Sequence, residues 1–248
     1  KAEDGKQVVF EAGKRVSGTK ITNKDKQYSR FPNTSRNHIY KIDLSTMNVD
    51  IGKVQTSTYP NMAASDAASF GGLAELVYDG ELMTEARYPN IGTVKTAAAS
   101  SNNSVQFVEN IPDAAAWKFD ENTRFTAVES SGYHFLGGTI NGYDPATKKF
   151  SWTQNKAGGG EVSSGARVSL RNAPDFIDQP GEYCIDVARK AIYFYPPDET
   201  MSHETRLMCF KQPLVKFEKA KNIVIDGITF QNASETGIIF EEASNCTL

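Results

Sequence analysis

The segment Val215-Lys-Phe-Glu-Lys-Ala-Lys-Asn-Ile-Val-Ile225 is repeated 23 residues later as Ile238-Ile-Phe-Glu-Glu-Ala-Ser-Asn-Cys-Thr-Leu248. A period in this range is typical of solenoids. Each copy is short, rich in β-branched residues and bounded by turn residues, which favours one coil of a right-handed parallel β-helix over a helical hairpin. We therefore predict that Phe217 and Phe240 stack inside adjacent coils.

A related segment, Val8-Val-Phe-Glu-Ala-Gly-Lys-Arg-Val-Ser-Gly18, aligns its Phe10-Glu11 with Phe217-Glu218. The long region between the two segments lacks the period and carries short strand patterns separated by turn signals, which indicates an inserted domain. The predicted fold class is all-β, a right-handed parallel β-helix whose coils are interrupted by an inserted antiparallel β domain. The predicted domains are early coils at 1–36, an inserted β-barrel or β-sandwich-like domain at 37–200, and resumed coils at 201–248.

Two hairpins are predicted within the inserted region. Residues 75–83 surround Asp79-Gly80, a pair that favours a type I′ turn. Residues 181–186 and 191–195 form the second predicted hairpin. A single helical turn is predicted at residues 113–117.

The coil repeat also predicts contacts at the end of the chain. Asn222 and Asn245 occupy equivalent positions, so their side-chain amides are expected to form a ladder at a coil corner. Repeats bury their inner faces only against neighbours, and terminal repeats need a cap. We therefore expect the last coil to be followed by further coils of the same chain or covered by an extracellular protein partner.

Charge and composition limit the classes of partner. The net charge is −3 and the pI is about 5.7, whereas nucleic acids and anionic membranes favour a basic face. No apolar run is long enough to span a bilayer, so no membrane span is expected. The sequence predicts a protein that does not bind nucleic acid.

The three cysteines lack metal-site spacing, so neither a metal site nor a cofactor is expected. A disulfide between Cys184 and Cys209 would suit an exported protein, although it leaves one cysteine over. Cys246 is interpreted as a small buried apolar residue.

Asparagine-linked glycosylation motifs begin at Asn33, Asn102, Asn232 and Asn245. Such short motifs also arise by chance in polar chains, so both interpretations stay open. The stacked Asn245 would be inaccessible, which leaves the first three as candidate glycosylation sites. Together with the cysteines, these motifs favour a secreted, extracellular glycoprotein.

Three stretches resemble one family in sequence order: Glu75-Leu-Val-Tyr-Asp-Gly-Glu-Leu-Met-Thr-Glu-Ala-Arg-Tyr-Pro-Asn90, then Asn172-Ala-Pro-Asp-Phe-Ile-Asp-Gln-Pro-Gly-Glu-Tyr-Cys-Ile-Asp186, and Asn222-Ile-Val-Ile-Asp-Gly-Ile-Thr-Phe230. They are similar to right-handed β-helix glycoside hydrolases with an inserted β-barrel-like domain, a group that includes α-fucosidase, xylanase and α-galactosidase relatives. The resemblance implies the amino-terminal part of a secreted, carbohydrate-active enzyme that acts on a polysaccharide or glycan.

In such hydrolases paired carboxylates project from later coils, so the resemblance implies that the catalytic residues lie downstream of these residues. The alternative is a non-catalytic extracellular β-helix module with a structural, adhesive or glycan-binding role. Carboxylate pairs in further coils would favour the enzyme, and their absence would favour the module.

Within this sequence, Glu218 and Glu241 are the candidate catalytic carboxylates, because stacking on adjacent coils would make them repel each other and raise one pKa. The alternative, which we favour, is a solvated outer face balanced by Lys216 and Lys219. Arg87 is expected to form a buried ion pair with Glu182 or Asp186.

Aromatic side chains can form a platform for a sugar. Trp117, His134 and Trp152 are the candidate substrate-binding residues of the inserted region, although several aromatic residues there must instead form its core.

Overall fold

The computed structural model describes residues 1–3, 5–52, 73–97, 103–133, 135–154, 162–210, 212–234 and 236–248. Over these residues the fold is mostly β, with 3₁₀ helices at Tyr28–Arg30, Pro112–Ala115 and Pro174–Phe176 and no α-helix. The strands are β1 (Val8–Glu11), β2 (Lys14–Val16), β3 (Thr19–Lys20), β4 (Tyr40–Asp43), β5 (Glu75–Tyr78), β6 (Glu81–Leu82), β7 (Thr84–Glu85), β8 (Arg87–Tyr88), β9 (Val94–Lys95), β10 (Ser104–Val105), β11 (Arg124–Val128), β12 (Phe135–Asp144), β13 (Lys149–Gln154), β14 (Arg167–Arg171), β15 (Glu182–Asp186), β16 (Ala191–Phe194), β17 (Thr205–Met208), β18 (Val215–Glu218), β19 (Ile228–Gln231) and β20 (Ile238–Glu241).

The terminal repeat forms a parallel strand pair in the predicted register. Strands β18 and β20 pair with Phe217 opposite Phe240. The two rings stack with centroids 4.8 Å apart and planes 13° apart. Asn245 Nδ2 donates to Asn222 Oδ1, as the predicted amide ladder requires. The register follows because residues at one repeat offset occupy equivalent places in successive strands.

The early segment pairs with a strand other than the one that it resembles in sequence. Strand β1 pairs in parallel with β19, which places Phe10 opposite Phe230 and Glu11 opposite Gln231. The sequence had aligned the same two residues with Phe217 and Glu218. The Phe-polar pattern recurs in both β18 and β19, so similarity to one strand did not identify the neighbour.

The largest sheet is antiparallel and has the order β10-β13-β12-β11-β14-β8, with β9 also paired to β14. Because side chains alternate along β13, Phe150 and Trp152 both point into the larger of two buried clusters, where Trp152 stacks on Phe125. Gly138 on β12 makes this packing feasible, because a Cβ atom there would lie 2.1 Å from Thr153 O.

Two smaller sheets surround the second buried cluster, with orders β3-β4-β16-β15-β7 and β2-β17-β5-β6. Both predicted hairpins are confirmed, one between β5 and β6 and one between β15 and β16. At the first turn Asp79 and Gly80 have φ of 52° and 80°, as a type I′ turn requires. The predicted single turn at 113–117 corresponds to the 3₁₀ helix that begins at Pro112.

The described sheets are therefore mainly antiparallel, and parallel pairing is found in β1–β19, β18–β20 and β7–β15. Strands on either side of both predicted domain boundaries pair: β3 with β4, and β5 with β17. The division into 1–36, 37–200 and 201–248 stays a prediction.

The proposed disulfide is absent from the structure. Cys184 is a buried thiol in the larger cluster, whereas Cys209 packs against the smaller one, and no disulfide joins them. Cys246 is partly buried, and its Sγ lies 3.4 Å from Ser244 O. Among the described residues, no helix has the length and apolar character that a membrane crossing needs.

Candidate functional site

A cleft of about 500 Å³ lies where four segments meet: residues 29–36, 87–88, 113–118 and 175–178. We call it the Arg30 cleft. The 3₁₀ helices Tyr28–Arg30 and Pro174–Phe176 supply two of its walls. Its volume is in the range of small-molecule sites in proteins.

A buried ionic network fixes the base of the Arg30 cleft. Arg30 Nε and Nη2 lie 2.9 and 2.7 Å from Asp175 Oδ2, and Nη1 lies 2.5 Å from Asp120 Oδ2. The side chains of Arg30 and Asp175 are only 7% and 5% exposed. Burial alone would lower the pKa of Arg30, but attraction to Asp175 and Asp120 outweighs it and the pKa is raised. The guanidinium therefore stays charged and held in place.

Trp117 forms an aromatic wall beside this network. Its ring contacts Tyr88 edge-on at a centroid distance of 4.9 Å and Phe176 at 5.0 Å. Both contacts hold the indole without covering it, since Trp117 is only partly buried. Strand β8 positions Tyr88 by pairing it with Leu170 of β14, and the peptide bond from Tyr88 to Pro89 is cis.

The main chain of the loop that carries Asp178 is held by hydrogen bonds to Glu182. The buried Glu182 carboxylate accepts hydrogen bonds from the backbone N–H groups of Asp178 and Gln179, at 3.0 and 3.3 Å. Asn90 Nδ2 donates to Asp178 Oδ1 at 2.7 Å. Asp178 is therefore held at the cleft wall by its main chain and its side chain.

Ionisation of Glu182 makes the stability of the folded protein depend on pH. Burial, with a contribution from the Asp178 charge, raises its pKa from the usual 4.5 to about 7. Between pH 4.5 and about 7, the Glu182 carboxyl therefore keeps its proton in the folded protein and loses it in the unfolded chain. The free energy of unfolding consequently falls as the pH rises through this range. We expect the wild type to lose stability relative to Glu182→Gln across this window, at up to about 1.4 kcal/mol per pH unit.

Urea denaturation of the wild type and Glu182→Gln at several pH values measures this difference. Glu81→Gln, a change on the exposed strand β6, is the matched control and should follow the wild type. Parallel stability curves for the wild type and Glu182→Gln between pH 4.5 and 7 would show that Glu182 does not titrate there.

The predicted ion pair of Arg87 was wrong. Arg87 Nη2 donates to Gly92 O and to Ser169 Oγ. Glu182 is engaged with backbone N–H groups, and Asp186 pairs with Arg189 at 2.7 Å. The partners of the Arg87 guanidinium depend on loop geometry, which the charge pattern of the sequence does not predict.

The structure separates the candidate sugar-binding residues. Trp117 lines the Arg30 cleft, whereas Trp152 is 2% exposed and stacks on Phe125 at a centroid distance of 4.0 Å. Trp152 is therefore a core residue, and its assignment to sugar binding was wrong. His134 lies outside the described residues.

The candidate carboxylates Glu218 and Glu241 lie opposite each other on β18 and β20 and are exposed. Lys216 Nζ lies between them, 3.5 Å from Glu218 Oε2 and 2.6 Å from Glu241 Oε2. This arrangement agrees with the solvated, charge-balanced face. Their catalytic role stays a prediction.

The candidate glycosylation sites differ in accessibility. Asn33 is exposed at the rim of the Arg30 cleft. Asn232 is partly buried, and its Nδ2 donates to Glu11 Oε1 at 2.5 Å. Asn102 lies outside the described residues. Modification at any of them stays a prediction.

Sequence reasoning missed Arg30, Asp120 and Asp175 as site residues. Asp175 stood inside one of the stretches that carried the family resemblance, but its partner Arg30 is 145 residues away. Within the described ranges, no cluster of three or more His, Cys, Asp or Glu side chains could hold a metal ion.

The Arg30 cleft thus combines an aromatic wall with fixed charged groups. Asp175 is bound to Arg30 and Asp178 to Asn90. Charged side chains that are held in place by such contacts can orient a polar ligand. The face of an aromatic ring packs against an apolar surface of the ligand. The arrangement is suited to binding.

Comparison with known proteins gives one informative result. No protein-family model and no curated protein matches the sequence. A solved structure described as a glycoside hydrolase superposes on 94% of this chain with a TM-score of 0.55 and 13% sequence identity. The chain spans 38% of the length of that protein. At this identity the similarity concerns the fold, so the chain shares a fold with part of a glycoside hydrolase.

Proposed function

We propose that this protein is carbohydrate-active and binds a glycan in the Arg30 cleft. The observation that carries the proposal is the position of Trp117, a partly exposed indole beside the fixed Arg30–Asp175 pair. A sugar ring presents C–H groups on its faces and hydroxyl groups at its edge. Trp117 is suited to the face, and the charged side chains are suited to the hydroxyl groups.

The similarity to a glycoside hydrolase supports the same proposal. In the whole protein, the strand pairs β1–β19 and β18–β20 would belong to a right-handed parallel β-helix, with the antiparallel sheets as an inserted domain. Their parallel registers and stacked rings support this architecture. We propose an extracellular location, as expected for a protein that acts on polysaccharides.

Two roles remain within this proposal, and one observation separates them. As part of a glycoside hydrolase, the protein would cleave its glycan with paired carboxylates outside the Arg30 cleft. As a non-catalytic module, it would only bind. The bridging of Glu218 and Glu241 by Lys216 favours binding by the described residues. Release of reducing ends by this chain from a glycan that it binds would favour hydrolysis instead.

The proposal is tested by truncating the aromatic wall. Trp117→Ala should weaken glycan binding about 10-fold or more, because a central aromatic contact is lost. Isothermal titration against a panel of plant and bacterial oligosaccharides measures the change. The matched control is Tyr133→Ala, which removes an exposed aromatic ring outside the cleft and should leave affinity unchanged.

Equal losses in Trp117→Ala and Tyr133→Ala, or an unchanged affinity in Trp117→Ala, would place the glycan elsewhere. Failure of the wild type to bind any glycan in the panel would overturn the proposed function.

A further inference from the structure

Some of the cationic side chains that line the Arg30 cleft form no ion pair with a described carboxylate. Its cationic side chains include Arg30, Arg36 and Arg87, and its carboxylates include Asp175 and Asp178. Arg30 is neutralised by its own buried network. Among the described residues, no carboxylate lies within ion-pair distance of Arg36 or Arg87.

Arg36 is oriented without being neutralised. Its Nε and Nη2 donate to the carbonyl oxygen of Phe31, at 3.2 and 2.8 Å. Its guanidinium lies over the ring of Tyr28, 5.6 Å from the centroid. These contacts use one edge of the guanidinium and involve no anion. Nη1 has no acceptor among the described residues, so it is available to a ligand.

Arg87 is also held by neutral groups, and its hydrogen bonding is incomplete. Nη2 is bound to Gly92 O and Ser169 Oγ, while Nε is buried without an acceptor. A buried donor left unpaired destabilises the protein, more so when it carries charge. Burial and the nearby Arg171 lower the pKa of Arg87 despite the attraction of the Glu182 and Glu85 carboxylates, so a bound anion would offset a cost that is present in the free protein.

We propose that the glycan bound in the Arg30 cleft carries an anionic group, the carboxylate of a uronic acid or a sulfate ester, which Arg36 and Arg87 recognise. This inference rests on the proposed function and names its substrate class. The planar guanidinium fork matches the oxygen pair of a carboxylate or sulfate.

The carboxylates of the cleft do not oppose this assignment. Asp175 is bound to Arg30, and Asp178 accepts from Asn90. Asp113 is exposed, and the cationic Lys118 lies on the same segment. A ligand anion near Arg36 and Arg87 would therefore meet two guanidinium groups that have no described carboxylate within ion-pair distance, although Glu182 and Glu85 attract Arg87 from farther away.

The test compares glycans that share one backbone: an oligouronide, its carboxyl-reduced neutral counterpart, and a sulfated derivative of the neutral form. Isothermal titration with the wild type should give an affinity for at least one anionic form about 10-fold or more above that of the neutral one. The form that binds more tightly identifies the group as carboxylate or sulfate. The preference should weaken as salt concentration rises.

Arg36→Gln and Arg87→Gln should each lower affinity for the anionic glycan about 10-fold and leave affinity for the neutral one unchanged. Arg15→Gln removes an exposed arginine outside the cleft and is the matched control. Arg36→Lys keeps the positive charge but lacks the planar guanidinium, so its affinity for the anionic glycan should lie between those of Arg36→Gln and the wild type. Arg36→Gln alone suffices for the test if Arg87→Gln fails to fold.

Three outcomes would overturn the inference, and one of them would also overturn the proposed function. Equal wild-type affinity for neutral and anionic glycans, with binding still lost in Trp117→Ala, would overturn the anionic preference and keep the glycan cleft. Absence of binding to all of them would overturn both. A preference for anions that survives in both Arg36→Gln and Arg87→Gln would overturn the assignment of these two residues.

Discussion

Replacing Arg30 with methionine should lower the free energy of unfolding by about 3–5 kcal/mol, because it leaves the buried Asp175 carboxylate without its counter-charge. Asp175 is 5% exposed, so water cannot substitute for the guanidinium. The second partner, Asp120, is more exposed and should contribute less. Urea denaturation of the wild type and Arg30→Met measures the difference.

A matched control separates burial from charge. Arg15 pairs with Glu204 but its side chain is 73% exposed, so Arg15→Met should cost less than about 1 kcal/mol. The double variant Arg30→Met with Asp175→Leu should be more stable than Arg30→Met alone, since no isolated buried charge remains. If Arg30→Met costs no more than Arg15→Met, the Arg30–Asp175 pair does not hold the cleft together.

Trp152→Ala should destabilise the protein by about 3–5 kcal/mol, as expected for truncation of a large buried aromatic residue. The indole stacks on Phe125 and lies in the larger buried cluster, and a cavity would replace it. The measurement is again the midpoint and slope of urea denaturation.

Trp117→Ala is the comparison, since it removes the same side chain from a partly exposed site. It should cost about 1–2 kcal/mol, because only part of the ring is buried. Similar losses for the two variants would contradict the division into a core tryptophan and a cleft tryptophan.

The pairing of β18 with β20 was predictable because one sequence repeat determines it. The register of β18 and β20 follows from one repeat offset, which fixes Phe217 opposite Phe240 and Asn222 beside Asn245. Turn chemistry fixed the hairpin at Asp79-Gly80 in the same way. In the first case a repeat of 23 residues determines the geometry, and in the second two adjacent turn residues do.

The cleft was not predictable because its parts are far apart in the chain. Arg30 and Asp175 meet only when two 3₁₀ helices are brought together by the sheets between them. For Trp152 a signal did exist: Phe150 and Trp152 share one face of β13, and their spacing of two is typical of a buried strand face. For Trp117, which follows a 3₁₀ turn, no such alternation was available.

A titration of glycans followed by nuclear magnetic resonance tests most directly whether the Arg30 cleft is the binding site. The chain has two tryptophans and therefore two indole N–H signals, which a Trp117→Phe variant assigns. We predict that a bound oligosaccharide shifts the Trp117 signal and leaves the Trp152 signal in place. A glycan that binds while the Trp117 signal stays unchanged would contradict the assignment of the cleft.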